Sequence, residues 1–219
     1  MTTRRTQAHQ HYQLADGSYA PGGTTVLGLR AKPQLVLWAN RLGLQGIDST
    51  KYRDEMADVG TLAHAMILAH LQGKLPDTSD YSQNQVDLAE NCFLSYLAWE
   101  RGRKIEPLRV EEHIVSEEWR CGGTSDFYGL VDGRLTIMDY KTGGIYPESE
   151  WQIAAYAHLL AACGERMPVQ GIVLSVPRAE TEVFQEVTVA PWGLDRGWEI
   201  FKHLLAIYWL ERDNKPLTR

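Results

Sequence analysis

Residues 122–156, GGTSDFYGLVDGRLTIMDYKTGGIYPESEWQIAAY, contain the features that decide the fold. Apolar and polar residues alternate on either side of Asp132-Gly133, a dipeptide that strongly favours a two-residue turn. Asp126 lies six residues before Asp132, and Asp139 lies six residues after Gly133. The stretch therefore predicts a β-hairpin that brings the two aspartates together at one end.

Lys141 adds a positive charge beside Asp126 and Asp139. Burying charged groups is costly unless they are paired or bound to a metal ion, so this cluster is a poor choice for simple core packing. Carboxylate oxygens are ligands that Mg²⁺ and Mn²⁺ prefer. The pattern alone fits two interpretations: a divalent-metal site with a lysine beside it, or an exposed salt bridge between Lys141 and a carboxylate.

Five sequence elements, in order along the chain, resemble the motifs of the PD-(D/E)XK nuclease superfamily. The resemblance is greatest to its RecB-like branch, which includes phage exonucleases and the mitochondrial genome maintenance exonuclease. The elements are G-T-L-A-H at 60–64, Glu112, G-G-T-S-D at 122–126, D-Y-K at 139–141 and Q-I-A-A-Y at 152–156. Ser125 stands where the superfamily name has proline, and the resulting G-x-x-D is common in the RecB-like branch. The resemblance extends from about residue 24 to the C-terminal helix.

The resemblance implies a site for Mg²⁺ or Mn²⁺. Asp126, Asp139 and His64 would bind the ion through their side chains, and Tyr140 would add its backbone carbonyl oxygen. The alternative for His64 is a buried core residue, because it shares a predicted helix face with apolar side chains.

The resemblance also implies roles in catalysis and DNA binding. Lys141 would orient or deprotonate the attacking water, or stabilise charge that develops on the phosphate. Gln152 and Tyr156, four residues apart on one helix face, would position the lysine or the substrate, and Glu112 would complete the site. Thr142 would contact a phosphate. The alternatives are an ordinary amphipathic helix for Gln152 and Tyr156, a solvated charge for Glu112 and a turn residue in Thr142.

The pattern of apolar residues predicts an α/β fold with a mixed sheet. We expect a short helix from about residue 24 and helices over 34–42, 60–71 and 82–101, then strands over 109–116, 123–131 and 134–139. A helix over 148–162, strands over 169–176 and 183–189, and a C-terminal helix over 194–212 follow. The β-β-β-α-β order matches the restriction-endonuclease-like core of the superfamily. We expect one nuclease domain over 1–219: a polar leader (1–23), a helical part that walls the site (24–107) and the PD-(D/E)XK core (108–212).

The composition narrows the class of protein. The chain has 219 residues, a formal net charge of −6 and three widely spaced cysteines. No apolar run approaches a membrane span and the start lacks the apolar segment of a signal peptide, so we expect no membrane contact and a cytoplasmic location in a bacterial or phage-infected cell. Several RecB-like nucleases hold an iron–sulfur cluster with four cysteines, three of them near the C-terminus. Because no cysteine follows Cys163, no iron–sulfur cluster is expected.

The negative net charge is unusual for a protein that binds nucleic acid, because affinity for DNA comes mainly from Lys and Arg contacts with phosphate. Acidic residues concentrated at a metal site account for part of that charge. Arg30, Lys32, Lys51 and Arg53 are interleaved with aromatic residues, and we expect them to contact DNA. The alternative is that they are ordinary solvated surface charges.

The sequence predicts a metal-dependent DNA nuclease that hydrolyses phosphodiester bonds, acting as an exonuclease on DNA ends or single strands in repair, recombination or phage DNA processing. The expected partners are DNA, single-stranded or with free ends, and a recombination or replication protein. Two alternatives stay open: a structure-selective endonuclease, and a DNA-binding or assembly module that keeps the nuclease fold without activity. The intact Asp126, Asp139 and Lys141 argue against the second.

Overall fold

The structure, a computed structural model, describes residues 12–213. Its strands are β1 (Tyr12–Gln13), β2 (Tyr19–Ala20), β3 (Ile105–Ser116), β4 (Cys121–Val131), β5 (Arg134–Lys141), β6 (Gln170–Ser175) and β7 (Gln185–Val189). β3 to β7 form one mixed sheet in chain order, and β1 pairs with β2. Neighbours in the large sheet are antiparallel except β5 and β6, which run parallel.

The predicted hairpin is formed by β4 and β5. Asp132 and Gly133 occupy the turn with positive φ angles of 51° and 77°, as a two-residue hairpin turn with matching twist requires. The register pairs Val131 with Arg134 and Phe127 with Met138. Asp126 and Asp139 therefore follow as the next residue on each strand, at the end opposite the turn.

Six helices complete the described residues: α1 (Gly23–Leu27), α2 (Pro33–Leu44), α3 (Ser49–Leu71), α4 (Gln83–Glu100), α5 (Pro147–Ala162) and α6 (Pro191–Asp213). α5 connects β5 to the parallel strand β6. The predicted α/β class, the β-β-β-α-β order, the N-terminal helices and the C-terminal helix are confirmed.

Both faces of the sheet are covered by apolar residues. β5 is buried along nearly its whole length, because successive residues of a central strand face opposite layers. Ile137 belongs to the core shared with α5 and α6, whereas Met138 belongs to the core shared with α3 and α4. The site end of β5 is thus enclosed by helices on both sides.

α3 is much longer than predicted, because it begins at Ser49 and not at Gly60. Asp48 caps it, accepting hydrogen bonds from the backbone N–H groups of Thr50 (2.9 Å) and Lys51 (3.2 Å). Glycine usually destabilises the interior of a helix, so the sequence favours a helix that begins at Gly60. Here the missing side chain makes room for Thr142, whose Oγ1 would lie 2.8 Å from a Cβ at position 60.

Residues 12–23 differ from the predicted polar leader, and residues 1–11 lie outside the described residues. β1 and β2 form a small hairpin, and Tyr12 and Leu14 are buried. The Tyr12 ring packs on Gly122 of β4, and its hydroxyl hydrogen-bonds to Thr124 Oγ1 (3.1 Å). The few apolar residues in this polar stretch are therefore the ones that attach it to the sheet.

Across residues 12–213, no helix combines the length and the apolar character that crossing a membrane requires.

Candidate active site

The site is built first from the ends of β4 and β5. Asp126 and Asp139 leave the hairpin side by side, beyond the Phe127–Met138 pair. Asp126 Oδ2 accepts a hydrogen bond from the backbone N–H of Tyr140 (2.8 Å), which fixes this carboxylate against the next strand. Asp139 is only 3% exposed, because β5 lies between other strands and under α5. The chain therefore places two carboxylates together where water is largely excluded.

Gln152 connects the D-Y-K motif to α5. Lys141 Nζ donates a hydrogen bond to Gln152 Oε1 (2.9 Å), and Gln152 Nε2 donates to Asp139 Oδ1 (3.1 Å) and to the Tyr156 hydroxyl (3.1 Å). Lys141 Nζ also lies 2.7 Å from Asp139 Oδ2. One amide thus holds the ammonium group and the carboxylate in a fixed relation, because its oxygen accepts and its nitrogen donates.

Close packing around Tyr156 explains the glycines of the G-G-T-S-D motif. A Cβ at Gly123 would lie 2.4 Å from Tyr156 Cε1, and a Cβ at Gly23, at the start of α1, would lie 3.0 Å from the same atom. The buried Tyr156 ring is therefore held between two glycines, and its hydroxyl faces Gln152. Gly122 makes the corresponding space for Tyr12.

His64 reaches this cluster from α3. Its Nδ1 lies 3.4 Å from Asp126 Oδ1, and its side chain is 36% exposed. The ring stands edge-on to Tyr140, with centroids 5.9 Å apart. His64 is therefore not packed into the core away from the aspartates. Thr142, the residue after β5, contacts α3 at Gly60, one helical turn before His64.

A polar network behind Tyr140 was not predicted from the sequence. The buried Tyr140 ring packs edge-on against Tyr96 of α4, with centroids 5.5 Å apart. Tyr96 donates a hydrogen bond to Glu100 Oε1 (3.1 Å), and Glu100 Oε2 lies 2.7 Å from Nε2 of His70. His70 belongs to none of the sequence motifs. The available signal was the spacing of Tyr96 and Glu100, which are four residues apart on one helix face.

The surroundings shift the pKa values of the Asp126 and Asp139 carboxyl groups in opposite directions. Burial raises the pKa of Asp139 to about 6. The Lys141 ammonium lowers this pKa, and the Asp126 carboxylate raises it. Burial also opposes ionisation of Asp126, but His64 and the Tyr140 N–H outweigh it, so the pKa of Asp126 lies below its ordinary value. Burial lowers the pKa of His64, but the Asp126 carboxylate outweighs burial and raises it. Such divergent pairs are typical of catalytic sites.

The donor atoms suit a hard divalent cation. Asp139 Oδ2 is buried, and the Lys141 ammonium lies 2.7 Å from it as an ion pair. Residues 12–213 contain no group of three His, Cys, Asp or Glu side chains placed to hold an ion by themselves. Mg²⁺ needs no such group, because it is usually bound by one or two carboxylates and keeps several waters. Asp126 and Asp139 fit that requirement.

Glu112 is partly exposed on the strand next to β4. It sits on β3 opposite Ser125, and its side chain is 39% exposed, with an oxygen 4.0 Å from Arg109 Nη1. β3 carries a register shift between Pro107 and Arg109, but from Arg109 to Ser116 the pairing with β4 is regular and exposed residues alternate with less exposed ones. Glu112 is one of the less exposed residues, and its part in the site stays a prediction.

The four basic residues expected to contact DNA lie on the N-terminal helices and their connections. Arg30 stacks on the Trp151 ring of α5, with its guanidinium carbon 4.8 Å from the ring centroid. Arg53 pairs with the neighbouring Asp54 (2.7 Å). Lys32 and Lys51 are exposed at the first turns of α2 and α3.

Comparison with known proteins finds similarity to solved structures. No protein-family model matches the chain, and no curated protein matches it. The crystal structure of LHK-Exo in complex with dAMP is similar with 17% sequence identity and a TM-score of 0.34, over 73% of this chain and 90% of that chain. The chemistry of this protein therefore has to be derived from its own residues.

Proposed function

We propose that the protein is a divalent-metal-dependent deoxyribonuclease that hydrolyses phosphodiester bonds. The observation that carries this proposal is the contact between Asp139, Lys141 and Gln152 beside Asp126, at a buried strand end. A core that served only stability would gain little from two enclosed carboxylates. A hydrolase gains a site for a cation and a fixed ammonium group.

Asp126 and Asp139 would hold Mg²⁺ or Mn²⁺, with the Tyr140 carbonyl and His64 as further ligands. The bound ion would supply Lewis acidity at the phosphate and lower the pKa of a water molecule. Lys141 would orient the attacking water or stabilise negative charge on the phosphate. Gln152 keeps the lysine amine close to Asp139, and Tyr156 holds Gln152 in turn.

The substrate we propose is DNA with free ends or in single strands, as encountered in repair, recombination or phage DNA processing. Support comes from α2 and α3, which continue past the site and carry exposed cations and aromatic side chains. The three cysteines are unpaired, in keeping with a reducing compartment such as the cytoplasm.

The test compares linear and circular single-stranded DNA in Mg²⁺ and in Mn²⁺. Degradation of linear DNA alone is expected and supports an exonuclease, whereas nicking of circular DNA would make the protein an endonuclease. No cleavage in either metal, by protein that still binds DNA, would contradict the nuclease and favour a binding module. Lys141→Ala serves as the inactive control in each reaction.

A further inference from the structure

A concave surface beside the site is formed by α2, the first part of α3 and the segment after β6. We call it the α2–α3 groove. It encloses about 460 Å³, within the range of about 300–1,000 Å³ typical of small-molecule sites. Its lining residues are Leu35, Trp38, Ala39, Ser49, Thr50, Tyr52, Arg53, Met56 and Arg178.

The groove contains an aromatic pair that is not buried in the core. Trp38 and Tyr52 have centroids 6.3 Å apart and planes inclined by 56°. α2 has no buried residue at all, and apolar side chains such as Val36 (71% exposed) stay open to solvent. An apolar helix that contacts α3 but leaves most of its apolar side chains open to solvent indicates a surface that binds something else.

The charges of the lining favour an anionic occupant. The lining includes two guanidinium groups and no carboxylate. Arg53 bonds to Asp54, and Arg178 bonds to Glu182, in both cases through Nε and Nη2. These ion pairs hold the guanidinium groups in place and leave the Nη1 side of each without a hydrogen bond among the described residues. Arg178 is fixed further by its backbone carbonyl, which accepts a hydrogen bond from Asn91 Nδ2 (2.8 Å).

The groove and the candidate active site are connected through α3 and through the end of β6. On α3, Tyr52 and Met56 line the groove, and the row of residues at intervals of four continues through Gly60 to His64, turning around the helix by about 40° at each step. Tyr52 precedes His64 by about 18 Å along the axis, at about 1.5 Å per residue. Arg178 follows the end of β6 that pairs with Lys141, through Ser175. A chain molecule bound at the catalytic lysine can therefore continue into the groove.

We propose that the α2–α3 groove binds an unpaired nucleotide of the DNA strand whose phosphodiester lies at Asp139 and Lys141. The base stacks on Trp38 or Tyr52, and the adjoining phosphate contacts Arg53 and Arg178. Aromatic rings with guanidinium groups are the combination that binds single strands with little sequence preference. A second copy of the chain or a lipid surface would use the apolar residues but would not need the paired cations. The inference rests on the proposed nuclease function and specifies how that site selects single strands.

The test measures binding of a single-stranded oligonucleotide of about twelve nucleotides in Ca²⁺, by fluorescence anisotropy. In a second set, each base in turn is replaced by an abasic site. Wild-type protein is expected to lose roughly tenfold in affinity at one or two abasic positions, since stacking of a single base contributes that much. Trp38→Leu and Tyr52→Leu, which keep apolar volume without a ring, should bind the intact strand roughly tenfold more weakly and no longer respond to those abasic positions. Trp38→Phe should retain the response.

The control is Trp192→Ala, which removes an indole that is 70% exposed on α6, outside the groove. It should leave affinity and abasic response unchanged. If the wild type degrades DNA but the Trp38 and Tyr52 variants bind like it, the groove is not a nucleotide site and the nuclease proposal stands. If no DNA is cleaved while the ring-dependent abasic response persists, the nuclease proposal fails and the groove proposal stands. Sedimentation experiments test the alternative of self-association. If the wild type forms a stable oligomer that Val36→Asp abolishes while DNA binding stays unchanged, the groove proposal is overturned.

Discussion

At the scale of single residues, the proposed nuclease function depends most directly on Asp139 and Lys141. Asp139→Ala and Lys141→Ala should each lower the rate of DNA cleavage by about 10²–10⁴-fold, because Asp139 would hold the metal ion and Lys141 would act on the water or the phosphate. Circular dichroism and thermal unfolding should show that the fold persists. Lys104→Ala is the matched control, since Lys104 pairs with Glu106 (2.9 Å) on the surface. Normal cleavage by well-folded Lys141→Ala protein would show that the site lies elsewhere.

The buried Asp139 carboxyl should also affect stability. Its pKa of about 6 in the folded protein lies above the ordinary value of 3.8, so the folded state binds this proton more tightly than the unfolded state. The resulting stabilisation is present below the unfolded pKa and is lost as the pH rises through about 6, by an amount on the order of 1–3 kcal/mol. Asp139→Asn cannot ionise and should not show that loss.

Urea unfolding in EDTA at about pH 5 and about pH 8 measures this effect. The free energy of unfolding of Asp139→Asn should increase relative to the wild type between the two pH values. If the difference in unfolding free energy between Asp139→Asn and the wild type is the same at both pH values, Lys141 compensates the Asp139 charge completely. In that case burial of the ionised Asp139 carboxylate would carry no net energetic cost.

The residues that meet at the strand end could be inferred from sequence for a simple reason. Asp126, Asp139 and Lys141 depend on one short hairpin with an unambiguous turn, so their proximity follows from counting residues. Tyr96 and Glu100 could not be inferred in the same way, because their contact with Tyr140 depends on how α4 packs on the sheet. The 39% exposure of the Glu112 side chain likewise depends on how β3 pairs with β4, which residue spacing alone does not give.

At the scale of secondary structure elements, the packing of α5 against β4 depends on a glycine. Gly123→Ala would place a methyl group 2.4 Å from Tyr156 Cε1, so the ring would have to move. We expect a loss of about 1–3 kcal/mol in stability, as for other overpacked sites. Because Tyr156 hydrogen-bonds to Gln152, cleavage should fall as well.

Gly143→Ala is a suitable control for this change. Gly143 also lies near the proposed catalytic lysine, but a Cβ there would meet nothing within 4 Å. Its thermal unfolding temperature and its cleavage rate should stay close to those of the wild type. Equal behaviour of the two alanine variants would contradict the role assigned to the contact between Gly123 and Tyr156.

The start of α3 shows that sequence periodicity does not detect an exposed part of a helix. Helix periodicity identified residues 60–71, but the preceding turns carry many polar residues and one face that is not covered by the core. Sequence periodicity reflects burial, so an exposed helical extension gives a weak signal. The same applies to β1 and β2, whose attachment depends mainly on Tyr12 and Leu14.

At the scale of the whole molecule, the distribution of charge would decide how DNA reaches the proposed site. The net charge is −6, so binding has to depend on local groups of cations. The helices that extend beyond the site carry Lys32, Lys51 and Arg53 at or near their first turns. Lys104 lies at the opposite end of the sheet, beside the β4–β5 turn, where its backbone N–H donates a hydrogen bond to Asp132 (2.8 Å). The order of the elements along the chain was predictable, but this asymmetry of charge required the folded positions.

The corresponding prediction concerns binding of single-stranded DNA in Ca²⁺ across a salt series. Lys32→Ala, Lys51→Ala and Arg53→Ala should each weaken binding and reduce the slope of log affinity against log salt by about 0.7 for every phosphate that is no longer neutralised, because fewer counterions are released. Lys104→Ala should change neither quantity. Metal dependence of cleavage should be preserved in all four variants, since none of these residues lies at Asp126 or Asp139. If affinity and slope stay at wild-type values in the first three variants, DNA enters over another face of the protein, and the N-terminal helices serve a different purpose.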